Sequence, residues 1–257
     1  MSDTKSQSRQ WSRQAARYDD VFLDPFREGV ENPLFASLAA IPGRKSKSVI
    51  DLGCGTGPLL PHLVETFGEV TALDFAPGMI ERAEARLGED ARRVRFLTRT
   101  MDDLADLGTF DVAVAVNSIV MPDTRKIDQT LRAVHAGLRP GGWFLGVVPS
   151  IDAIHYHTML LMDRALDNGR TAEEAERHAA FHAEHAYYDF AFGRFRFQGL
   201  RQKFWQPFEL EYRLNKAGFV SVVLEKLFYP WDETIIGGEE FAGQPKSWDW
   251  TFVARPS

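Results

Sequence analysis

Apolar positions along the chain follow two alternating periods. From Lys47 onward, short runs of apolar and β-branched residues alternate with stretches whose apolar side chains recur every three or four positions. The first pattern marks strands and the second amphipathic helices. SVIDL (48–52), EVTALD (69–74), RVRFLT (93–98), FDVAVAV (110–116) and WFLGVV (143–148) predict five strands. The fourth is almost wholly apolar, as a strand covered on both faces should be. Between them, Leu59, Leu60, Leu63, Val64 and Phe67 mark one helix, and Met79, Ile80, Ala83 and Leu87 a second. Ile127, Leu131, Val134 and Leu138 mark a third, closed by Pro140-Gly141-Gly142. Pro58 and Pro61 fall in the first turn of the first helix, where a missing N–H costs little. Pro77 opens the second helix and Gly88 ends it.

The flanks depart from this rhythm. Residues 5–18 predict a short amphipathic helix with Trp11, Ala15 and Tyr18 on one face, followed by a helical stretch over about 25–40 that begins or breaks near Pro33. The alternation stops at Pro149, and residues 150–206 predict helices plus an aromatic, basic segment. It resumes with a helix at Pro207–Ala217 ending at Gly218, a strand at Phe219–Phe228 and a last strand at Trp250–Ala254. This order predicts an α/β fold: a Rossmann-like doubly wound sheet, mostly parallel with an antiparallel last strand, and a helical, aromatic cap inserted after strand five. The expected division is an N-terminal helical lid (1–45), a core (46–149 and 207–257) and a cap (150–206), which 257 residues can accommodate.

Composition narrows the surroundings. The chain is 44% hydrophobic and 26% charged, like a soluble globular protein, and no run reaches the roughly 18 apolar residues that cross a bilayer. The first residues, MSDTKSQSRQW, are polar and lack the apolar core of an export signal. One cysteine, Cys54, rules out an internal disulfide and a cysteine-cluster metal site. A net charge of −6 disfavours a phosphate-tracking surface. The expectation is a cytoplasmic protein, monomer or homodimer, that engages neither nucleic acid nor membrane.

Chemistry concentrates in VIDLGCGTGPLL (49–60), which sets Gly53, Gly55 and Gly57 directly after the first strand. Such a turn lies at the carboxyl edge of an open α/β sheet, where ligands bind, and glycine permits positive φ and close backbone approach. A phosphate-binding loop would continue Gly-Lys-Ser/Thr, whereas Gly57 is followed by Pro58. The third position of a dinucleotide fingerprint also falls on Pro58. What stands here is Asp51-x-Gly53-x-Gly55-x-Gly57. A carboxylate at the strand tip repels a pyrophosphate but suits the ammonium and sulfonium of S-adenosylmethionine, whose own carboxylate can meet the N–H groups of the turn. Asp74, ending the second strand, is placed to accept hydrogen bonds from ribose hydroxyls in either cofactor class.

Together with Asp74, the Met101-Asp102 pair, FDVAVAVNS and LRPGGWFL, the chain resembles the class I S-adenosylmethionine-dependent methyltransferases of small-molecule type, over roughly residues 10–148 and 207–255. The resemblance implies that Asp51 and Gly53 border the methionine moiety, directly or through water, that Gly55 and Gly57 belong to the same cofactor-binding turn, and that Asp74, with Phe75 beside it, binds the ribose. It implies that Asp102 bonds the adenine amino group with Met101 along the ring, and that Asn117 lines the methionine end. Tyr18, in AARYDD, resembles a tyrosine that closes over the cofactor. From the residues alone, other readings stand beside these. Asp102 neighbours Asp103 and Asp106 as a solvated loop acid would. Trp11 and Tyr18 suit a packed helix face, Asn117 suits a strand-end turn, and Cys54 suits a small residue in a tight loop.

The implied reaction is methyl transfer by in-line displacement to an O or N of a small, aromatic or apolar acceptor, in which the protein aligns reactants and excludes water. A nicotinamide-dependent oxidoreductase is the alternative enzyme class, disfavoured by Asp51 and Pro58. A protein that binds S-adenosylmethionine without methylating would carry the same cofactor residues. The acceptor pocket is expected from the cap, which holds His155, His157, His178, His182 and His185. Thr171 and Glu174 form a capping box, predicting a helix to about Tyr188 with His178, His182, His185 and Asp189 in one stripe. That stripe fits a half-exposed lid face, a general base drawn from His182 or His185, or a divalent metal; no metal site is assigned. His155 and His157 point apart. Arg194 and Arg196 alternate with Phe195 and Phe197 in GRFRFQGLRQKFW, either as a solvated face or facing an anionic substrate group. Phe181, Tyr187, Tyr188, Phe190, Phe192, Phe204 and Trp205 predict an aromatic wall, which Trp231, Trp248 and Trp250 could close from the other side.

Overall fold

The computed structural model describes residues 4–14, 23–197 and 200–257. Five parallel strands, β1 (Ser48–Leu52), β2 (Glu69–Asp74), β3 (Val94–Thr98), β4 (Phe110–Val116) and β5 (Leu138–Val148), form a sheet with β9 (Phe219–Tyr229) and β10 (Ser247–Pro256). The order is β3-β2-β1-β4-β5-β10-β9, and β10 runs antiparallel to both its neighbours. The predicted α/β class and antiparallel last strand are both present. β1 is buried along its whole length and β2 from its second residue on, which is why their apolar runs do not alternate.

The helices are α1 (Thr4–Gln14), α2 (Pro33–Ala39), α3 (Leu60–Thr66), α4 (Pro77–Leu87), α5 (Thr124–Ala136), α6 (Ile151–Asp167), α7 (Ala172–His182) and α8 (Pro207–Lys216); α2, α3 and α4 cover one face of the sheet and α5 and α8 the other. On one face, Leu34 and Leu38 of α2 and Leu60, Leu63 and Val64 of α3 join Val49, Val112 and Leu145. On the other, Ile127, Leu131 and Val134 of α5 and Leu210 and Leu214 of α8 pack with Ile50, Ala113 and Phe252.

Two predicted helices are shorter than expected. The third stops at Ala136, and Leu138 instead pairs with Phe110 as the first residue of β5. Pro140-Gly141-Gly142 therefore lies inside a strand. It sits where the β4–β5 register shifts, Gly141 has φ +72°, and a Cβ on Gly142 would lie 2.8 Å from the Arg139 carbonyl oxygen. The triplet is a bulge between two paired segments. The stretch read as helical over 25–40 is helical only from Pro33, where the Asn32 side chain accepts from Leu34 N.

The segment 150–206 folds beside the carboxyl edge as α6, α7 and a small sheet of β6 (Tyr188–Asp189), β7 (Arg194–Phe197) and β8 (Leu200–Lys203). Thr171 and Glu174 form the expected capping box. The helix they start ends at His182, because Glu184 adopts φ +56° and turns the chain. The stripe of His178, His182, His185 and Asp189 is thus divided between a helix, a turn and a short strand. The segment's exit is anchored by Trp205, fully buried, whose Nε1 donates to Ile119 O at 2.9 Å and whose backbone pairs with Pro149 and Ile151.

Among the described residues, no helix is long and apolar enough to cross a membrane.

Candidate cofactor cleft

The strand order reverses direction between β1 and β4, and a crevice opens there at their carboxyl ends, the topological switch point of a doubly wound sheet. Its floor is the turn after β1. Gly53, Gly55 and Gly57 all have positive φ (+69°, +55° and +77°). A Cβ on Gly53 would lie 2.5 Å from Ser118 Cβ and 3.5 Å from Met101 Sδ, and one on Gly57 would lie 2.9 Å from both Ala83 Cβ and Leu60 Cδ1. A Cβ on Gly55 meets nothing within 4 Å. The outer glycines thus let the turn pack against protein, and the middle one faces open space.

Asp74 ties this floor to β2. Its Oδ2 accepts from Gly55 N at 3.1 Å and its Oδ1 from Ala76 N at 2.8 Å. Asp51 lines the same cleft and is 3% exposed. Burial pushes its carboxyl up to about 7, with the nearby Asp74 charge adding to the effect. Burial likewise raises Asp74 to about 6 against the pull of three backbone N–H donors. Cys54 is buried between them, its thiol pushed up by burial and by both carboxylates, which leaves it unreactive.

The remaining walls come from Leu23, Asp24, Pro25 and Phe26 before α2, and from Val116 and Asn117 after β4. Sequence reading singled out none of the first four. They are held over the cleft by a bridge between Glu31 and Phe228 and by Arg27, which donates to Asp232 at 2.6 Å. Among the described lining residues none is lysine or arginine. Arginines gather at the opposite edge, where Arg92, Arg93, Arg95 and Arg139 border a second concavity of ≈ 640 Å³.

The other expected cofactor residues sit around this floor. Met101 packs beside Gly53. Asp102 faces Lys126 at 3.5 Å; partial burial raises its carboxyl, but Thr100 and Lys126 outweigh that and hold it low. Phe75 O accepts from Ser8 Oγ at 2.9 Å, Gly78 N donates to Ser12 Oγ at 3.3 Å, and Trp11 packs on Ala76 and Met79. The helix α1 therefore docks on the loop that follows Asp74. Tyr18 and Ala15 lie outside the described residues.

The cap histidines stand elsewhere. His157 is buried with Nε2 on Ile236 O at 2.8 Å, and His155 stacks on Phe190. His178 and His182 face one another at 4.3 Å between ring centres. His185 meets Thr158 Oγ1 at 2.9 Å, and burial followed by the His155 charge lowers its pKa. None of these lines the cleft described above. Lys203, counted in the basic segment, is buried and paired with Glu209 at 2.6 Å. Arg194 lies over the Phe192 ring.

The raised carboxyls fix a pH dependence. Their folded pKa values exceed the ordinary value of 3.8, so the stability they contribute is full below about 4 and is lost as pH rises through 6 and 7. A cationic ligand requires the ionised form, so its affinity should run the opposite way. We expect the dissociation constant of a cationic ligand to rise about tenfold between pH 8 and pH 6, as calorimetric titration at several pH values would show.

Residues 49–142 match the family model described as a methyltransferase domain. The ubiquinone biosynthesis O-methyltransferase of Xanthomonas campestris pv. campestris is 32% identical over 110 residues, 42% of this chain and 44% of that protein. The chain spans less than half the length of the curated relatives it matches. Among solved structures, DhpI in complex with SAM and HEP superposes with a TM-score of 0.62 at 18% identity, covering 98% of this chain and 97% of that one. The 1,6-didemethyltoxoflavin-N1-methyltransferase of Burkholderia thailandensis, with bound 1,6-didemethyltoxoflavin and S-adenosylhomocysteine, superposes at 0.60 and 21% identity, covering 98% and 87%. Residues 49–142 are similar to a methyltransferase domain, and the chain has the fold of the class I S-adenosylmethionine-dependent methyltransferases.

Proposed function

We propose that this protein is an S-adenosylmethionine-dependent methyltransferase acting on an O or N of a small-molecule acceptor. The observation that carries the reading is the cleft's charge: buried Asp51 lines a glycine-built crevice whose described lining holds no basic side chain, and buried Asp74 stands behind the turn, bonded to Gly55 N. Both are pushed toward the neutral form, so the site gains most from a ligand that brings a positive charge. A pyrophosphate would add further negative charge to the pair.

The residues fit the donor in kind. Asp51 would face its ammonium, the turn at Gly53–Gly55 its carboxylate, Asp74 the ribose, and Met101 and Asp102 the adenine. Bound S-adenosylmethionine supplies an activated methyl on a sulfonium, displaced in line by an acceptor lone pair. The chain's part is to hold the acceptor against that methyl and keep water out. Phe26 and its neighbours form the near wall, and the 150–206 segment, entered directly from the carboxyl end of β5, forms the acceptor side. The relatives support a small acceptor: one is named for an O-methyl transfer in ubiquinone biosynthesis, another for N1-methylation of a heterocycle.

His185 is the cap histidine we retain as a proton acceptor: Thr158 Oγ1 donates to Ile154 O and so accepts from His185 Nε2, which leaves Nδ1 as the accepting nitrogen of a ring whose pKa burial lowers. His182 is given no part: its ring meets only His178 and Phe181, with no hydrogen bond among the described residues to orient it. His182→Ala should leave turnover within about twofold, whereas His185→Ala should lower kcat by about 10²-fold for a hydroxyl acceptor and leave donor binding unchanged. The function is tested by incubating the protein with methyl-labelled S-adenosylmethionine and a panel of phenolic, heterocyclic and amine metabolites. Labelled small-molecule product supports the reading. Label on protein or nucleic acid alone would overturn the choice of acceptor.

A further inference from the structure

Between Trp248 and Trp250 on β10 stands Asp249, whose carboxyl reaches three separate parts of the fold. Its Oδ1 accepts from Ser150 N at 3.1 Å, where the chain leaves β5 for α6. Its Oδ2 accepts from the Tyr229 hydroxyl at 2.8 Å, at the end of β9. The side-chain amide of Asn117 faces the same carboxyl and helps hold its charge, which it can do only through its NH₂ end. Asn117 lines the cleft and has φ +49°, a conformation uncommon for a residue with a Cβ, with its backbone N–H held by Val147 O at 2.8 Å. Its Oδ1 is buried and has no hydrogen-bond partner in the protein.

The two ends of one amide are therefore treated differently. A carboxylate only accepts, so Asp249 commits the NH₂ end of Asn117 and fixes which way round the amide sits. The oxygen is left buried and unsatisfied, an arrangement proteins avoid unless a further donor arrives. Of the ligand groups assigned to this end of the cleft, only the ammonium is a strong donor. We propose that Asp249 is a positioning residue for the donor site: through the Asn117 amide it presents Oδ1 to accept a hydrogen from the ammonium of the bound amino-acid moiety. This rests on the reading of the cleft given above. Asp249 touches no ligand itself, and its contribution passes wholly through Asn117.

The test is calorimetric titration of the full chain with two probes. S-adenosylhomocysteine carries the amino-acid moiety, and 5′-methylthioadenosine keeps the adenosine and sulfur without it. The variants are Asp249→Asn, Asn117→Ala, their combination, and Tyr229→Phe, which leaves the carboxylate on Asn117. We expect Asp249→Asn and Asn117→Ala each to weaken S-adenosylhomocysteine about five- to tenfold and methylthioadenosine by less than twofold. Asp249→Asn should have no further effect in the Asn117→Ala background, because a residue acting through another is non-additive with it. Tyr229→Phe should stay within twofold of wild type. Equal weakening of both probes, an Asp249→Asn effect that persists without Asn117, or no effect of Asp249→Asn would overturn the proposal. Wild-type protein that binds neither probe would overturn the reading of the cleft, a different and recognisable result.

Discussion

Asparagine at position 51 should yield a protein that is more stable without ligand and unable to hold it. At pH 8 the native fold ionises Asp51 against burial and the Asp74 charge, its pKa standing at about 7 rather than 3.8. The unfolded chain ionises it freely, so the native state carries a penalty on the order of 4 kcal/mol at that pH. The amide removes the charge while keeping the shape. Allowing for its own desolvation, unfolding of the ligand-free variant should move up by about 3–8 °C. The gain should shrink as pH falls toward 5, where wild-type Asp51 is already protonated. S-adenosylhomocysteine should then produce no thermal shift. A protein that stabilises and still binds would show that Asp51 does not meet the ligand's cation; one that loses stability would show that its carboxylate is structural.

The glycines separate packing from binding in the same turn. Gly53→Ala should cost about 2–5 kcal/mol of stability, from left-handed strain together with a Cβ placed 2.5 Å from Ser118 Cβ. Gly55→Ala carries the strain alone, about 1–2 kcal/mol, since its Cβ meets nothing within 4 Å. Yet Gly55→Ala should weaken S-adenosylhomocysteine by at least about tenfold, because the open space beside it is where the ligand approaches. Denaturant unfolding and titration of both variants check this. Equal stability loss with unchanged binding in Gly55→Ala would place the ligand elsewhere.

Much of the fold was legible because it is local. SVIDL, EVTALD and FDVAVAV occur as strands at their predicted limits, and Pro77 and Gly88 bound a helix as expected. The limits appear where one residue satisfies two patterns. Leu138 continues the helical spacing of Ile127, Leu131 and Val134 and also begins β5, and only its pairing with Phe110 decides between them. Glu184 carries no signal of the positive φ that ends the cap helix, so the histidine stripe seemed continuous when written out and is broken in space.

The cleft divides in the same way. Asp51, the glycines and Asp74 lie within one strand–helix–strand unit, and their spacing revealed them. Pro25 and Phe26 reach the cleft through the Glu31–Phe228 bridge, a pairing nearly two hundred residues apart in the chain that no local pattern encodes. Asp249 was hidden between two tryptophans that drew attention as aromatic wall. Nothing local in the basic segment shows that Lys203 would be buried and neutralised by Glu209.

On the proposed reading, the carboxylate-lined glycine cleft holds an S-adenosyl ligand through its positive charge. Calorimetric titration of the purified chain at pH 8 with S-adenosylhomocysteine and, separately, with NAD⁺ tests it most directly. S-adenosylhomocysteine should bind one-to-one, Asp51→Asn should abolish that binding, and NAD⁺ should not bind. Saturable NAD⁺ binding without S-adenosylhomocysteine binding, or S-adenosylhomocysteine binding indifferent to Asp51→Asn, would contradict it.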